Sequence, residues 1–304
     1  MKQLLILSGK GGTGKTTVAS AFIRLSEAQA YADCDVDAPN LHLITKHSKA
    51  PSMKDYYGMP KAEIDPDICI NCGKCMENCR FDAISVNEKS HFVDPFGCEG
   101  CGVCEFVCPV NAVSLHPSVA GDLMLFKEGP VTFSTAQLKM GSGTTGMLVS
   151  EVKKQMKESA EETDFAIVDG SPGIGCPVIA SLSGADMVLI VAEPSLSGIS
   201  DMERIIKTAR IFGVIIAVCV NKSDTNPENT NRIKDFCKLE GIPYTGSIPF
   251  DPMAVKAVNK GMSIADIDCP SGRAVKEVFN ETMHLIIREG KDVQNDKNLW
   301  AATH

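Results

Sequence analysis

The chain has no long apolar run. Its opening stretch, Leu4-Leu5-Ile6-Leu7, breaks off at a glycine-rich segment, far short of the roughly 20 residues a membrane span needs. No leader-type cleavage site follows it. Positive charge is also scarce: 30 Lys and Arg against 38 Asp and Glu give a formal net charge of −8, so the molecule as a whole is not drawn to nucleic acid or anionic lipid. With 44% apolar and 22% charged residues, nothing suggests general disorder. The expectation is an acidic, soluble, cytoplasmic protein, and 304 residues suffice for one large domain or two modest ones.

Cysteine, by contrast, is plentiful. Disulfides are disfavoured in a reducing compartment, yet eight of the 13 cysteines lie between Cys69 and Cys108. They serve something local, and metal is the first suspect.

Short continuous apolar runs at 4–7, 165–168, 187–192 and 214–220 read as buried parallel strands. Val18, Ala21, Phe22 and Leu25 repeat at helical spacing, as do Ile205, Ile206, Ala209 and Phe212. This alternation implies an α/β fold, a doubly wound and mostly parallel sheet with helices on both faces. The pattern fails at 61–116, which is dense in Cys, Gly, Asn and Pro and reads as a small domain stapled by something other than an apolar core. The expected organisation is a main domain of 1–60 and 117–290, an insert of 61–116, and a loose polar tail of 291–304 whose one sizeable apolar group is Trp300.

Gly9-Lys10-Gly11-Gly12-Thr13-Gly14-Lys15-Thr16-Thr17 follows the first strand and opens the first helix, the context of a P-loop. The glycines let backbone N–H groups converge on phosphate, and the helix N-terminus adds its dipole. Lys15 is expected on the β/γ-phosphates and Thr16 on Mg²⁺. Asp33-Cys34-Asp35-Val36-Asp37 follows another strand. The run 165–168 ends on Asp169, a carboxylate that after four apolar residues needs a partner.

Cys69, Cys72, Cys75 and Cys79 form C-x2-C-x2-C-x3-C; Cys98, Cys101, Cys104 and Cys108 repeat it, with Pro109 following. Such runs converge on a 4Fe-4S cubane and lend the fourth ligand to the other cluster. On that rule Cys69, Cys72, Cys75 and Cys108 hold one cluster, and Cys98, Cys101, Cys104 and Cys79 the second. Structural zinc, the rival, usually pairs two C-x2-C units across a longer gap. Arg80 departs from the run, standing where the trailing proline is expected.

Lys10, just after the first P-loop glycine, completes the deviant Walker A pattern. Here the chain resembles the MinD/Mrp/ParA ATPases of the SIMIBI class, which include the nitrogenase iron protein, while the insert resembles a two-cluster 4Fe-4S ferredoxin. The resemblance implies an ATP-dependent homodimer in which Lys10 reaches the partner's nucleotide. It implies Asp37 of the first switch as the group orienting the attacking water, and Asp169 as a Mg²⁺ ligand through water. Gly170 to Gly173 would form a second switch. Asn221-Lys222-Ser223-Asp224 matches a guanine-reading pattern, but the resemblance favours ATP, with Asn221 on the base and Pro249-Phe250-Asp251 framing it.

Cys34, Cys219, Cys237 and Cys269 are expected as buried hydrophobes. Cys176 lies near the implied dimer face, where the nitrogenase iron protein has a ligand to a shared cluster. The segment that would supply the second ligand, Gly141 to Gly146, has serine instead. Three functions compete: ATP-gated electron transfer to a redox partner protein, cluster assembly or delivery to an accepting partner, and MinD- or ParA-like positioning with structural or sensory clusters. Membrane docking is disfavoured because residues 292–304 hold one lysine and no apolar stripe. DNA binding is disfavoured by the net charge. Electron transfer leads.

Overall fold

The computed structural model describes residues 1–87 and 90–303, with side chains as far as 288. Among the described residues a nine-stranded sheet forms the centre, built from β1 (Lys2–Leu7), β2 (Ala30–Asp33), β3 (Ser52–Tyr57), β8 (Val119–Glu128), β9 (Val131–Leu138), β10 (Phe165–Asp169), β11 (Met187–Ala192), β12 (Ile215–Asn221) and β13 (Tyr244–Ile248). Its order is β13-β12-β11-β1-β10-β2-β9-β8-β3. The strands from β13 to β9 run parallel, as the continuous apolar runs lead one to expect. Leu4 to Leu7 of β1 are wholly buried, because helices cover both faces of this central strand.

One face carries α4 (Thr145–Ser159), α5 (Cys176–Leu182), α6 (Leu196–Ile211) and α7 (Pro227–Leu239). The other carries α1 (Lys15–Ser26), α8 (Pro252–Asn259) and α9 (Pro270–Thr303), with Phe22 and Phe279 packed edge to face at 5.1 Å. Side-chain caps fix the entries of several helices: Ser195 accepts from Gly198 N–H at α6, Asn226 from Asn229 at α7, and Asp251 from Met253 at α8.

The β8–β9 hairpin turns at Gly129, whose φ is +58°, and runs antiparallel; β3 pairs antiparallel to β8. This edge extension is invisible to apolar patterning because β9 turns Thr132, Ser134 and Thr135 inward. In the region of the expected polar tail, α9 carries the backbone on to Thr303. The side chains of 291–303, Trp300 included, and the whole of His304 lie outside the described residues. No helix among the described residues is long and apolar enough to cross a membrane.

The cysteine-rich stretch forms a small separate unit. Its β4 (Lys61–Ile64) and β7 (Val113–His116) pair antiparallel, as do β5 (Ile84–Val86) and β6 (His91–Val93), with short helices α2 (Lys74–Glu77) and α3 (Val103–Val107). Its buried interior is Ala62, Ile64, Ala83, Ile84 and Val113 with Cys75, Cys98 and Cys104. The two halves repeat in backbone detail: Gly73 and Gly102 both have φ +78°, and Asp82 and Asn111 have φ +50° and +55°.

Candidate functional site

The P-loop leaves β1 and enters α1 around Gly12 and Gly14, whose φ values of +79° and +91° admit glycine readily. Every residue from Lys10 to Thr17 lines a cavity of about 630 Å³, together with Asp35, Asn40 and Pro172. Gly9 does not line it; a Cβ there would strike Asp201 of α6, so this glycine serves close packing. Asn221 Nδ2 donates to the Thr13 carbonyl at 2.7 Å and holds the loop from behind.

Beneath the loop, Lys15 Nζ meets Asp169 Oδ1 at 2.6 Å, both side chains almost fully buried. Asp33 is the register partner of Asp169 across β2 and β10 and accepts N–H bonds from Asp35, Asn40 and Leu41. Burial, then the Asp169 charge, pushes the Asp33 carboxyl up to about 7. Burial works against the Lys15 ammonium, but the attraction of Asp169 and Asp33 prevails and raises it. Asp169 Oδ2 is buried without a hydrogen-bond partner. A lone carboxylate oxygen beside the phosphate cavity, with Thr16 on its wall, suits a hard cation such as Mg²⁺, so these residues fit the metal.

The three acids of the 33–37 segment are placed differently. Asp35 lines the cavity with Asn40, whereas Asp37 is exposed and does not. The segment from Gly170 to Gly173 is tied inward by Gly170 N–H to the Ile6 carbonyl at 2.9 Å and Gly173 N–H to the Ser8 carbonyl at 3.0 Å. Ser171 Oγ donates to the Cys34 carbonyl and so links that segment to residues 33–37. Lys10 turns back on its own chain, 3.0 Å from Glu193 Oε2 and 3.2 Å from both Ser195 Oγ and Ser197 Oγ. Glu193 and the two serines escaped the sequence reading, since nothing local in sequence ties them to Lys10, nearly 190 residues away; Asp33 was visible only as one acid of a run, and its pairing with Asp169 was not.

A second cavity, of about 310 Å³, adjoins the P-loop at Gly12, Gly14 and Thr17 and is lined by Asn221, Pro249, Phe250 and Asp251. Asp224 is not on its wall; its Oδ1 accepts the Phe250 N–H at 2.6 Å. Asp251 is likewise engaged, by the N–H groups of Met253 and Ser271 and the Ser271 hydroxyl. One oxygen of the carboxylate that a guanine-reading pattern requires is thus taken by backbone.

In the small unit Cys69, Cys72, Cys75 and Cys108 line one hollow and Cys79, Cys98, Cys101 and Cys104 line another. Burial raises the Cys75 and Cys104 thiols. Burial also opposes ionisation of Cys108, but N–H groups of Val110, Ala112, Val113 and Asn111 outweigh it and bring that thiol below its ordinary value. Thiol-rich hollows ringed by amide donors suit iron–sulfur ligation. Among the described residues no three His, Cys, Asp or Glu side chains stand close enough to hold a single metal ion. Cubane ligands stand wider apart, because each thiolate binds its own iron.

The unit rests on the segment from Lys139 to Gly146. Phe96 lies against Gly141 and Glu99 against Gly143, while Gly146 lies against Cys176. Cys176 is exposed at the start of α5; Cys34, Cys219, Cys237 and Cys269 are buried.

A P-loop opening the first helix of a parallel, doubly covered sheet defines a nucleotide-binding protein of the P-loop class. The chain belongs to the CobQ/CobB/MinD/ParA nucleotide-binding family, whose profile matches residues 4–264. An uncharacterized protein of Methanocaldococcus jannaschii is 32% identical over 93% of this chain and 97% of its own length. An iron-sulfur cluster carrier protein of the same organism is 25% identical over 43% of this chain and 49% of its own. Among solved structures, the cell division ATPase MinD of Pyrococcus furiosus shares the fold with a TM-score of 0.55 and 18% identity, over 93% of this chain and 99% of that one.

Proposed function

We propose that this is an ATP-hydrolysing iron–sulfur protein, an ATP-gated homodimer that passes electrons from two 4Fe-4S clusters to a partner protein. Residues 1–60 and 117–290 would form the ATPase and 61–116 a ferredoxin-like insert. Cys69, Cys72, Cys75 and Cys108 would hold one cluster; Cys79, Cys98, Cys101 and Cys104 the other. When bound, the clusters supply one-electron storage. The chain's own residues supply the rest: Lys15 and the loop N–H groups orient phosphate, Thr16 and Asp169 hold Mg²⁺, Asp35 faces the cavity where water must attack, and Asn221, Pro249 and Asp251 frame adenine.

The observation that carries this reading is the contact of Phe96 and Glu99 with the segment 139–146, which continues into α4 and touches Cys176 beside the second switch. A γ-phosphate that moves residues 170–173 would act on the segment under Cys98. Anaerobic iron and sulfide counts with reductive titration, with and without Mg-ATP, test it. About eight irons with nucleotide-sensitive reduction support the reading; reduction indifferent to ATP removes the gating.

Cluster delivery is the second reading, favoured by the likeness to an iron-sulfur cluster carrier protein. Transfer of iron and sulfide to an apo-acceptor, leaving the chain depleted, would decide for it.

A further inference from the structure

Lys10 is the residue through which one subunit would reach the other's nucleotide, yet in the single chain it is fully engaged. Its three acceptors, Glu193, Ser195 and Ser197, come from the junction of β11 and α6, with Ser197 in the first turn of the helix. Ser195 also caps α6 through the Gly198 N–H at 3.1 Å, which fixes its hydroxyl at the helix entry. The other oxygen of Glu193 lies 3.8 Å from Lys222 Nζ, and Lys222 in turn donates to the Gly12 carbonyl at 2.8 Å. One carboxylate therefore faces two lysines, both fastened to the P-loop. The pair is half-buried, with Lys10 and Glu193 side chains 34% and 24% exposed, so solvent screens it only in part.

An ammonium has three donors, and here three acceptors of its own chain take them. Reaching a neighbouring subunit's phosphates means giving all three up. We propose that Glu193, with Ser195 and Ser197, is a latch that holds Lys10 in the unpaired chain, so that pairing waits for a polyphosphate charged strongly enough to draw the lysine away. Glu193 is in this sense a positioning residue for Lys10. The triphosphate outcompetes one carboxylate more readily than the diphosphate does, which gives the latch its discrimination between ATP and ADP. The inference rests on the ATP-dependent pairing of the proposed function.

The test is sedimentation of the full, anaerobically purified chain with Mg-ADP and with a non-hydrolysable ATP analogue. Glu193→Gln keeps the shape and removes the charge. Because each dimer opens two latches, its dimer dissociation constant with the analogue should fall roughly tenfold, and pairing should begin to appear with ADP. Ser197→Ala, which caps nothing, should shift it the same way by about twofold. In a Lys10→Ala background neither change should matter. A Glu193→Gln chain that melts like the wild type but pairs equally or less well overturns the latch alone. A wild-type chain that pairs with no nucleotide overturns the pairing reading, and the latch with it.

Discussion

Gly146 lies directly against Cys176: a Cβ on the glycine would stand 3.2 Å from both the Cβ and the carbonyl oxygen of the cysteine. The contact joins the first turn of α4 to the first residue of α5, and so joins the segment beneath Phe96 and Glu99 to the loop that follows Asp169.

Widening that contact should uncouple the two ends. Gly146→Val forces extra volume between two close-packed helices, an overpacking that costs about 1–3 kcal/mol. Nucleotide affinity should stay within a few-fold, since the P-loop is untouched. Hydrogen exchange at 94–101 should differ between the ATP and nucleotide-free states in the wild type and not in the variant. An unchanged response in Gly146→Val would place the route elsewhere.

Asp33 provides a pH signature. Its folded carboxyl titrates near 7, raised first by burial and then by Asp169, against an ordinary value of about 3.9. Between those values the folded chain keeps a proton that the unfolded chain has lost, so stability falls as pH rises through this window and levels off above it. The contribution is at most about 1.4 kcal/mol per pH unit. Chemical denaturation of nucleotide-free, Mg²⁺-free protein from pH 5 to 8 should show a steeper decline for the wild type than for Asp33→Asn. Equal slopes would mean that Lys15 keeps Asp33 ionised throughout.

The segment from Asp33 to Asp37 offers three acids at alternate positions, and the structure separates them. Asp33 is buried and Asp35 lines the phosphate cavity, while Asp37 is exposed. Asp35→Ala should lower ATP turnover by about 10²-fold or more, the scale of a lost catalytic base or water-orienting group. Asp37→Ala should change it less than threefold. Single-turnover hydrolysis with matched nucleotide binding checks both, and the reverse order would restore Asp37 to that role.

These three acids also mark how far the sequence is legible. The strands β1, β10, β11 and β12 are readable because burial on both faces demands unbroken apolar runs, and the P-loop because Gly12 and Gly14 adopt positive φ and Gly9 packs against Asp201. Asp33, Asp35 and Asp37 look alike on paper; only the pairing of β2 with β10 sets Asp33 beside Asp169 and leaves Asp37 in solvent. Asn221 to Asp224 fits a base-reading pattern letter by letter, yet Asp224 is bound to the Phe250 N–H, a bond formed only when β13 docks on β12. The edge hairpin β8–β9 escapes for a related reason, since buried hydroxyls interrupt its apolar face. Lys10 and Glu193 meet only in three dimensions. Cysteine spacing, conversely, is legible because each cysteine run is local and repeated.

The two cysteine hollows make the last prediction, because the partition of the thiols is crossed. Cys108, from the second run, lines the hollow of Cys69, Cys72 and Cys75, and Cys79, from the first run, lines that of Cys98, Cys101 and Cys104. If each hollow holds one cubane, Cys69→Ser with Cys108→Ser removes two ligands of the same cluster, and about four of eight irons should remain. Cys69→Ser with Cys79→Ser strikes both clusters, and the iron should fall toward zero. An uncrossed partition reverses the pattern: Cys69 and Cys79 would then share a cluster, and it is the Cys69/Cys108 double variant that would lose nearly everything. Iron and sulfide analysis of the two double variants, beside the wild type and Cys176→Ser, separates these cases. Cys176→Ser should keep full iron, because Cys176 lies in neither hollow.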